Sequence, residues 1–197
     1  IEAAAGTDDD FQLLWQKTEA EAITTLAGYM EVLGLNPDGS SNPAFRPLLD
    51  PVATTDYMLM NYVIDNEDGP TYIDGAVVNN FFAVRARNAG LPWAWLAHDS
   101  EYSFLNILSD ITRSYGVGAA YQSANPRRFM ERCLLNPEYR MLFADRVQKH
   151  YFNGGALTPE KLAAAYLVRK NEIDRAVVAE SARWGDSVSG SPLTRED

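Results

Sequence analysis

The chain is poor in the residues that build closed metal centres and covalent frameworks. It holds one cysteine, Cys133, and two histidines, His98 and His150, in 197 residues. A single cysteine excludes an internal disulfide, and with two scattered histidines it cannot furnish the ligands of a structural zinc site. Cys133 stands in an apolar helical context and reads as a small buried hydrophobe. No apolar run approaches the roughly 20 residues of a membrane span, and no signal-peptide pattern is present. Basic residues are scarce: 17 against 27 acidic ones, for a net charge of −10 and a pI near 4.7. Such a chain lacks the basic face that nucleic-acid and membrane-surface binders use. A Gly-x-Ser-x-Gly elbow is missing, which argues against a Ser-His-Asp hydrolase built on His98. Phosphate loops of the Walker and dinucleotide types are missing too, because Gly116-Val-Gly118 has neither the other glycines nor a flanking strand.

What is present is ordinary globular composition, with 46% hydrophobic and 22% charged residues, enough for one domain with a core. The pattern is mainly helical. Thr7 to Asp10 offers a cap and acids for a first turn, and Phe11, Leu14, Trp15, Thr18, Ala22, Leu26, Tyr29, Met30 and Leu33 share one helical face up to a stop at Gly34. Asp50-Pro51 opens a second helix whose body, Thr55 to Ile64, is apolar on nearly all sides and therefore buried. Pro126, Pro137 and Thr158-Pro159 open three more. The last runs to Gly185, with Leu162, Tyr166, Arg169, Ile173, Ala176, Val177, Glu180 and Trp184 on one face. Residues 101–108 also read as helical. Residues 187–197 read as a disordered tail.

One stretch breaks the helical rule. Val77 to Arg87 is dense in Val and Phe and reads as a strand; Asn88 to Pro92 is a turn; Trp93 to Ala97 is a second strand that runs into Asp99 and Glu101. The expected fold is thus mainly α with a small β-hairpin. Asn79 and Asn80 lie near one end of the stretch and carboxylates at the other, a set of oxygen donors suited to a hard cation such as Mg²⁺. A plainer reading makes the asparagines turn residues and Asp99 a helix cap. Asp65-Asn66-Glu67-Asp68 leaves the buried helix near the middle of the fold. The order acid, asparagine, acid has the ingredients of kinase phosphoryl transfer, in which one Asp orients the attacking hydroxyl while an Asn and a later Asp hold the metal.

These residues resemble the CotH kinase family, atypical protein kinases named for bacterial spore-coat proteins. The resemblance is carried by Asp56-Tyr57-Met58-Leu59-Met60-Asn61, Asn66-Glu67-Asp68, Asn80-Phe81-Phe82, Trp95 to Asp99-Ser100-Glu101, Phe143-Ala144-Asp145-Arg146, Asn153 to Pro159 and Ala179 to Asp186. It implies the helical C-terminal lobe of a kinase-like fold over residues 1–186. It also implies Asp68 as the catalytic acid, Asn80 and Asp99 as metal ligands, ATP and Mg²⁺ (or Mn²⁺) as cofactors, and a protein Ser/Thr hydroxyl as acceptor. The loop from Asp68 to Asn80 exceeds the kinase spacing of about five residues. Asp74 precedes Asn79 at that spacing and is a rival for the catalytic role. Glu101 stands where many relatives carry a second aspartate. The last two matches resemble the longer secreted bacterial versions, which implies an extracellular or cell-surface location. The chain starts at Ile1 without Met, and its first fifty residues carry no strand-borne lysine. The nucleotide lobe is therefore expected upstream, and this chain alone is expected to be inactive. The alternative is a surface or adhesion module that kept the fold and lost the chemistry. A third reading is a plain helical domain with a structural Ca²⁺ on Asp65, Asp68 and Asp99.

Overall fold

A computed structural model describes residues 3–70, 79–86, 90–106, 108–113, 120–187 and 190–196. The chain divides into two compact units, 1–147 and 148–197. Among the described residues there are six α-helices and one two-stranded sheet, so the mainly α architecture with a small hairpin is what the sequence leads one to expect.

The first unit begins with α1 (Asp9–Glu19), a 3₁₀ turn at Glu21–Thr24, and α2 (Leu26–Val32). The single helix expected up to Leu33 is broken twice, at Ala20 and Thr25, where the backbone is extended. The cause lies far away in sequence. The Arg132 guanidinium takes the carbonyls of Thr18 and Glu19 at 3.0 and 2.9 Å. The Asn136 amide takes those of Ile23 and Thr25 at 3.1 and 3.0 Å. Carbonyls that have found these donors need no further helical turn to satisfy them. Gly28 fits the break because a Cβ there would lie 2.1 Å from the Ala22 carbonyl oxygen.

The helix α3 (Pro51–Val63) starts as its sequence demands. Asp50 caps it, accepting from the Ala53 amide at 2.9 Å, with Pro51 at the first helical position. Its buried face carries Thr54, Met58, Leu59 and Asn61. Strand β1 (Phe81–Val84) pairs antiparallel with β2 (Ala94–Ala97), Phe81 opposite Ala97 and Val84 opposite Ala94. β2 is rooted in the core. Trp95 donates from Nε1 to the buried Thr54 hydroxyl at 2.8 Å and stacks on Phe129 at 5.8 Å. Phe11 meets Trp93 and Phe129 edge-to-face at 5.2 and 5.4 Å, each contact worth about 1 kcal/mol beyond burial. Leu14, Ile23, Val32, Leu49, Cys133 and Tyr139 complete this core. Burial pushes the Cys133 thiol up to about 12, in keeping with an inert, hydrophobic role.

Two further helices follow: α4 (Pro126–Cys133), capped by Asn125, and α5 (Pro137–Tyr151), whose last four residues belong to the second unit. The second unit is dominated by α6 (Pro159–Trp184), 26 residues with none buried. Residues 190–196 fold back on it; Leu193 donates its amide to the Gly185 carbonyl at 2.7 Å, and Arg195 grips Asp174 with two nitrogens at 2.9 and 2.8 Å. The helix expected over 101–108 does not form among the described residues. The Phe104 amide donates instead to Ile64 O at 2.8 Å, and Tyr102 O accepts from the Glu67 amide at 3.1 Å. These backbone groups serve the loop after α3 and cannot also serve a helix.

Candidate functional site

The hairpin's open end is where the candidate residues meet. Antiparallel pairing folds the two ends of the stretch together. Continuing its register outward from Phe81–Ala97 sets Asn80 against His98 and Asn79 against Asp99. Asn80 and Asp99 leave the ladder in the left-handed region, at φ 47 and 53°, a conformation that Asn and Asp tolerate better than other residues with a Cβ. The ladder ends at the Phe81–Ala97 pair, just short of both residues.

Asp68 completes the cluster. Its Oδ1 accepts from Asn79 Nδ2 at 3.0 Å and its Oδ2 from Asn80 Nδ2 at 2.9 Å; the Asn80 amide also reaches Asp99 O at 3.3 Å. An ionised carboxylate has only acceptors, so both amides must turn their nitrogens to it. Each Oδ1 is left to accept from, or ligate, something else. Of the expected residues, Asp68, Asn79, Asn80 and Asp99 are therefore brought together. Asp74 lies outside the described residues. Glu101 is exposed, and His98 packs its ring edge-on against Phe82 at 4.8 Å.

What holds Asp68 in place is a buried amide network that the sequence does not announce. Asn61, fully buried on α3, donates to Tyr57 O at 2.8 Å and accepts from Asn66 Nδ2 at 3.0 Å. Asn66 also approaches the Ser100 hydroxyl at 3.4 Å, beside Asp99. Its backbone amide donates to Asn61 O at 3.1 Å, and its own carbonyl accepts from Gly69 at 3.3 Å. A Cβ on Gly69 would lie 2.5 Å from Asn66 Nδ2, so this position has room only for glycine. The loop 64–69 is thus clamped between α3 and the residues after β2, with Asp68 aimed at the hairpin. An asparagine amid the apolar run of α3 was the one available signal. A second brace, Arg146 on Asp56 with Nε at 2.6 Å and also through Nη2, joins α5 to α3.

The side-chain oxygens of this neighbourhood belong to Asp68, Asn79, Asn80 and Asp99; the two amides turn their nitrogens to Asp68, and it is the backbone carbonyl of Asp99 that Asn80 reaches. That donor set suits Mg²⁺ or Mn²⁺ sharing its shell with water and phosphate. Among the described residues no three His, Cys, Asp or Glu side chains gather into a metal-binding group. Asp65, Asp68 and Asp99, the set of the Ca²⁺ reading, are thus not gathered into one group. Cleft volume points elsewhere: a cleft of about 1220 Å³ lies between the N-terminal segment and β1, and Asp68, Asn80 and Asp99 do not line it. Donor chemistry is the better guide, because charged groups of that cleft, Asp10 with Arg46 and Arg85, are committed to one another. Compared with known proteins, the chain matches no family model, no curated protein and no solved structure. Among the described residues no helix is long and apolar enough to cross a membrane.

Proposed function

We propose that the cluster at the open end of the hairpin serves metal-assisted phosphoryl transfer. Within that class, we infer that the chain is the helical C-terminal lobe of a CotH-like atypical protein kinase, whose parent moves the γ-phosphoryl group of ATP to a protein Ser/Thr hydroxyl. The observation that carries the reading is the Asp68 carboxylate held by Asn79 and Asn80 with the Asp99 backbone in reach. In this reading Asp68 orients the acceptor hydroxyl, and Asn80 and Asp99 hold Mg²⁺ or Mn²⁺. The metal supplies charge neutralisation at the phosphates; the protein's task is positioning. Lys17 stands on helix α1, paired with Glu31 at 2.5 Å, whereas the phosphate-pairing lysine of a kinase stands on a strand. In this reading that role falls to a nucleotide lobe of the parent, which acts at the cell surface or outside the cell.

The outward face of the hairpin supports the same reading. Phe82, Val84 and Leu96 are each about half exposed, an apolar platform next to the polar cluster that suits a nucleotide base. The same platform favours the second reading, a non-catalytic surface or adhesion module that docks a partner there. The test is phosphoryl transfer by the intact parent with labelled ATP and Mg²⁺ or Mn²⁺, together with calorimetry of ATP binding. Asp68→Asn and Asp99→Ala are each expected to lower transfer by about 10²-fold or more. Unchanged activity in Asp99→Ala overturns the site assignment. Absence of any heat of ATP–Mg²⁺ binding favours the adhesion module.

A further inference from the structure

The longest helix carries large apolar residues that are more than half exposed. On α6, Tyr166 is 66% exposed, Ile173 55% and Trp184 51%. They share a stripe with Lys170, Val177 and Glu180, at spacings that alternate four and three residues from 166 to 184. That alternation is a heptad seam, with Tyr166, Ile173 and Glu180 at d positions and Lys170, Val177 and Trp184 at a positions. A stripe of this size left open on a soluble helix marks an interaction surface.

The order of residues along the stripe says what covers it. In an antiparallel helix pair each a position faces a d position of the partner. Centred on position 175, such a pair matches the stripe with itself. Lys170 meets Glu180, Ile173 meets Val177, and Tyr166 meets Trp184, each contact occurring twice as a two-fold axis requires. Parallel pairing would set Lys170 against Lys170 and Glu180 against Glu180. A charged residue at an a position is a known device for fixing register, and here the only charges on the stripe are complementary in one orientation. Arg175, at the axis position, falls on the opposite face of the helix, and Asp174 beside it is gripped by two Arg195 nitrogens, with Lys170 Nζ a further 4.0 Å contact that pairing with Glu180 would replace. With the tail folded back, Tyr166, Ile173 and Trp184 stay more than half exposed, Trp184 with the Arg183 guanidinium over its ring at 4.9 Å, and Val177 is half-buried. We propose that α6 is the docking surface for a second copy of this chain, paired antiparallel through Tyr166, Lys170, Ile173, Val177, Glu180 and Trp184. The pairing is independent of the phosphoryl-transfer reading.

Sedimentation equilibrium of the 197-residue chain over about 5 to 500 µM tests it, a range suited to a seam of about 27 Å. The mass is expected to climb from 21.9 kDa toward twice that value. Ile173→Asp, at an exposed position that leaves folding intact by circular dichroism, is expected to raise Kd at least about tenfold. Lys170→Glu is expected to weaken the dimer about tenfold, and Lys170→Glu with Glu180→Lys to restore it to within about threefold. A chain that stays monomeric throughout overturns the proposal, as does a dimer indifferent to Ile173→Asp. A dimer that the double charge swap fails to rescue overturns the antiparallel pairing.

Discussion

Asn66→Ala perturbs the buried amide network without touching the candidate ligands. Asn61 Oδ1 takes its hydrogen bond from Asn66 Nδ2 at 3.0 Å, and the two residues are 0% and 1% exposed. Truncating Asn66 strands that oxygen away from water, at a cost of about 1–3 kcal/mol. The vacated amide volume adds about 1 kcal/mol of cavity. The sum, about 2–4 kcal/mol, lowers the melting temperature of a chain this size by about 5–12 °C. Asn61→Ala should cost a similar amount. The double variant leaves no stranded partner, so its cost should fall short of the sum by about 1 kcal/mol or more. Urea unfolding of the four proteins, followed by circular dichroism, measures each value. Single costs below about 0.5 kcal/mol, or strict additivity, would refute the network as the clamp on Asp68.

Gly69→Ala forces a Cβ to within 2.5 Å of Asn66 Nδ2 and should destabilise by about 1–3 kcal/mol in the same assay. Trp95→Phe removes the 2.8 Å bond to the buried Thr54 and should cost about 1–3 kcal/mol, whereas Trp95→Phe with Thr54→Val should recover part of it. Burial raises the Cys133 thiol from 9.0 to about 12 and the Tyr57 phenol from 10.0 to about 12. The folded state therefore holds protons that the unfolded state releases. Their contribution is intact below pH 9 and fades as pH climbs to about 12, so urea midpoints should fall over that window and fall less in Cys133→Ala. Under the phosphoryl-transfer proposal, Asp68→Asn and Asp74→Asn should separate the two candidate acids in the proposed full-length protein, the catalytic one losing about 10²-fold or more in transfer.

The parts of the fold that were legible in the sequence are those that local chemistry decides. Asp50-Pro51, Pro126, Pro137 and Pro159 start helices because capping and a fixed φ act within one turn. The hairpin was legible from its Val- and Phe-rich composition, and a hairpin necessarily joins Asn79 and Asn80 to Asp99. The illegible parts are settled by burial and by groups distant in sequence. Arg132 and Asn136 end α1 and divide the first helical run. The loop after α3 takes the backbone bonds that a helix over 101–108 would have used. The Asn61–Asn66 clamp was hidden for the same reason, since its worth lies in burial, which periodicity alone does not reveal.

Manganese relaxation tests the central claim most directly. Mn²⁺ added with ATP to the proposed full-length protein should broaden the side-chain amide resonances of Asn79 and Asn80 before other described asparagines, and the effect should be lost in Asp99→Ala. Equal broadening in the wild type and in Asp99→Ala, or broadening centred away from these amides, would contradict a metal site at the open end of the hairpin.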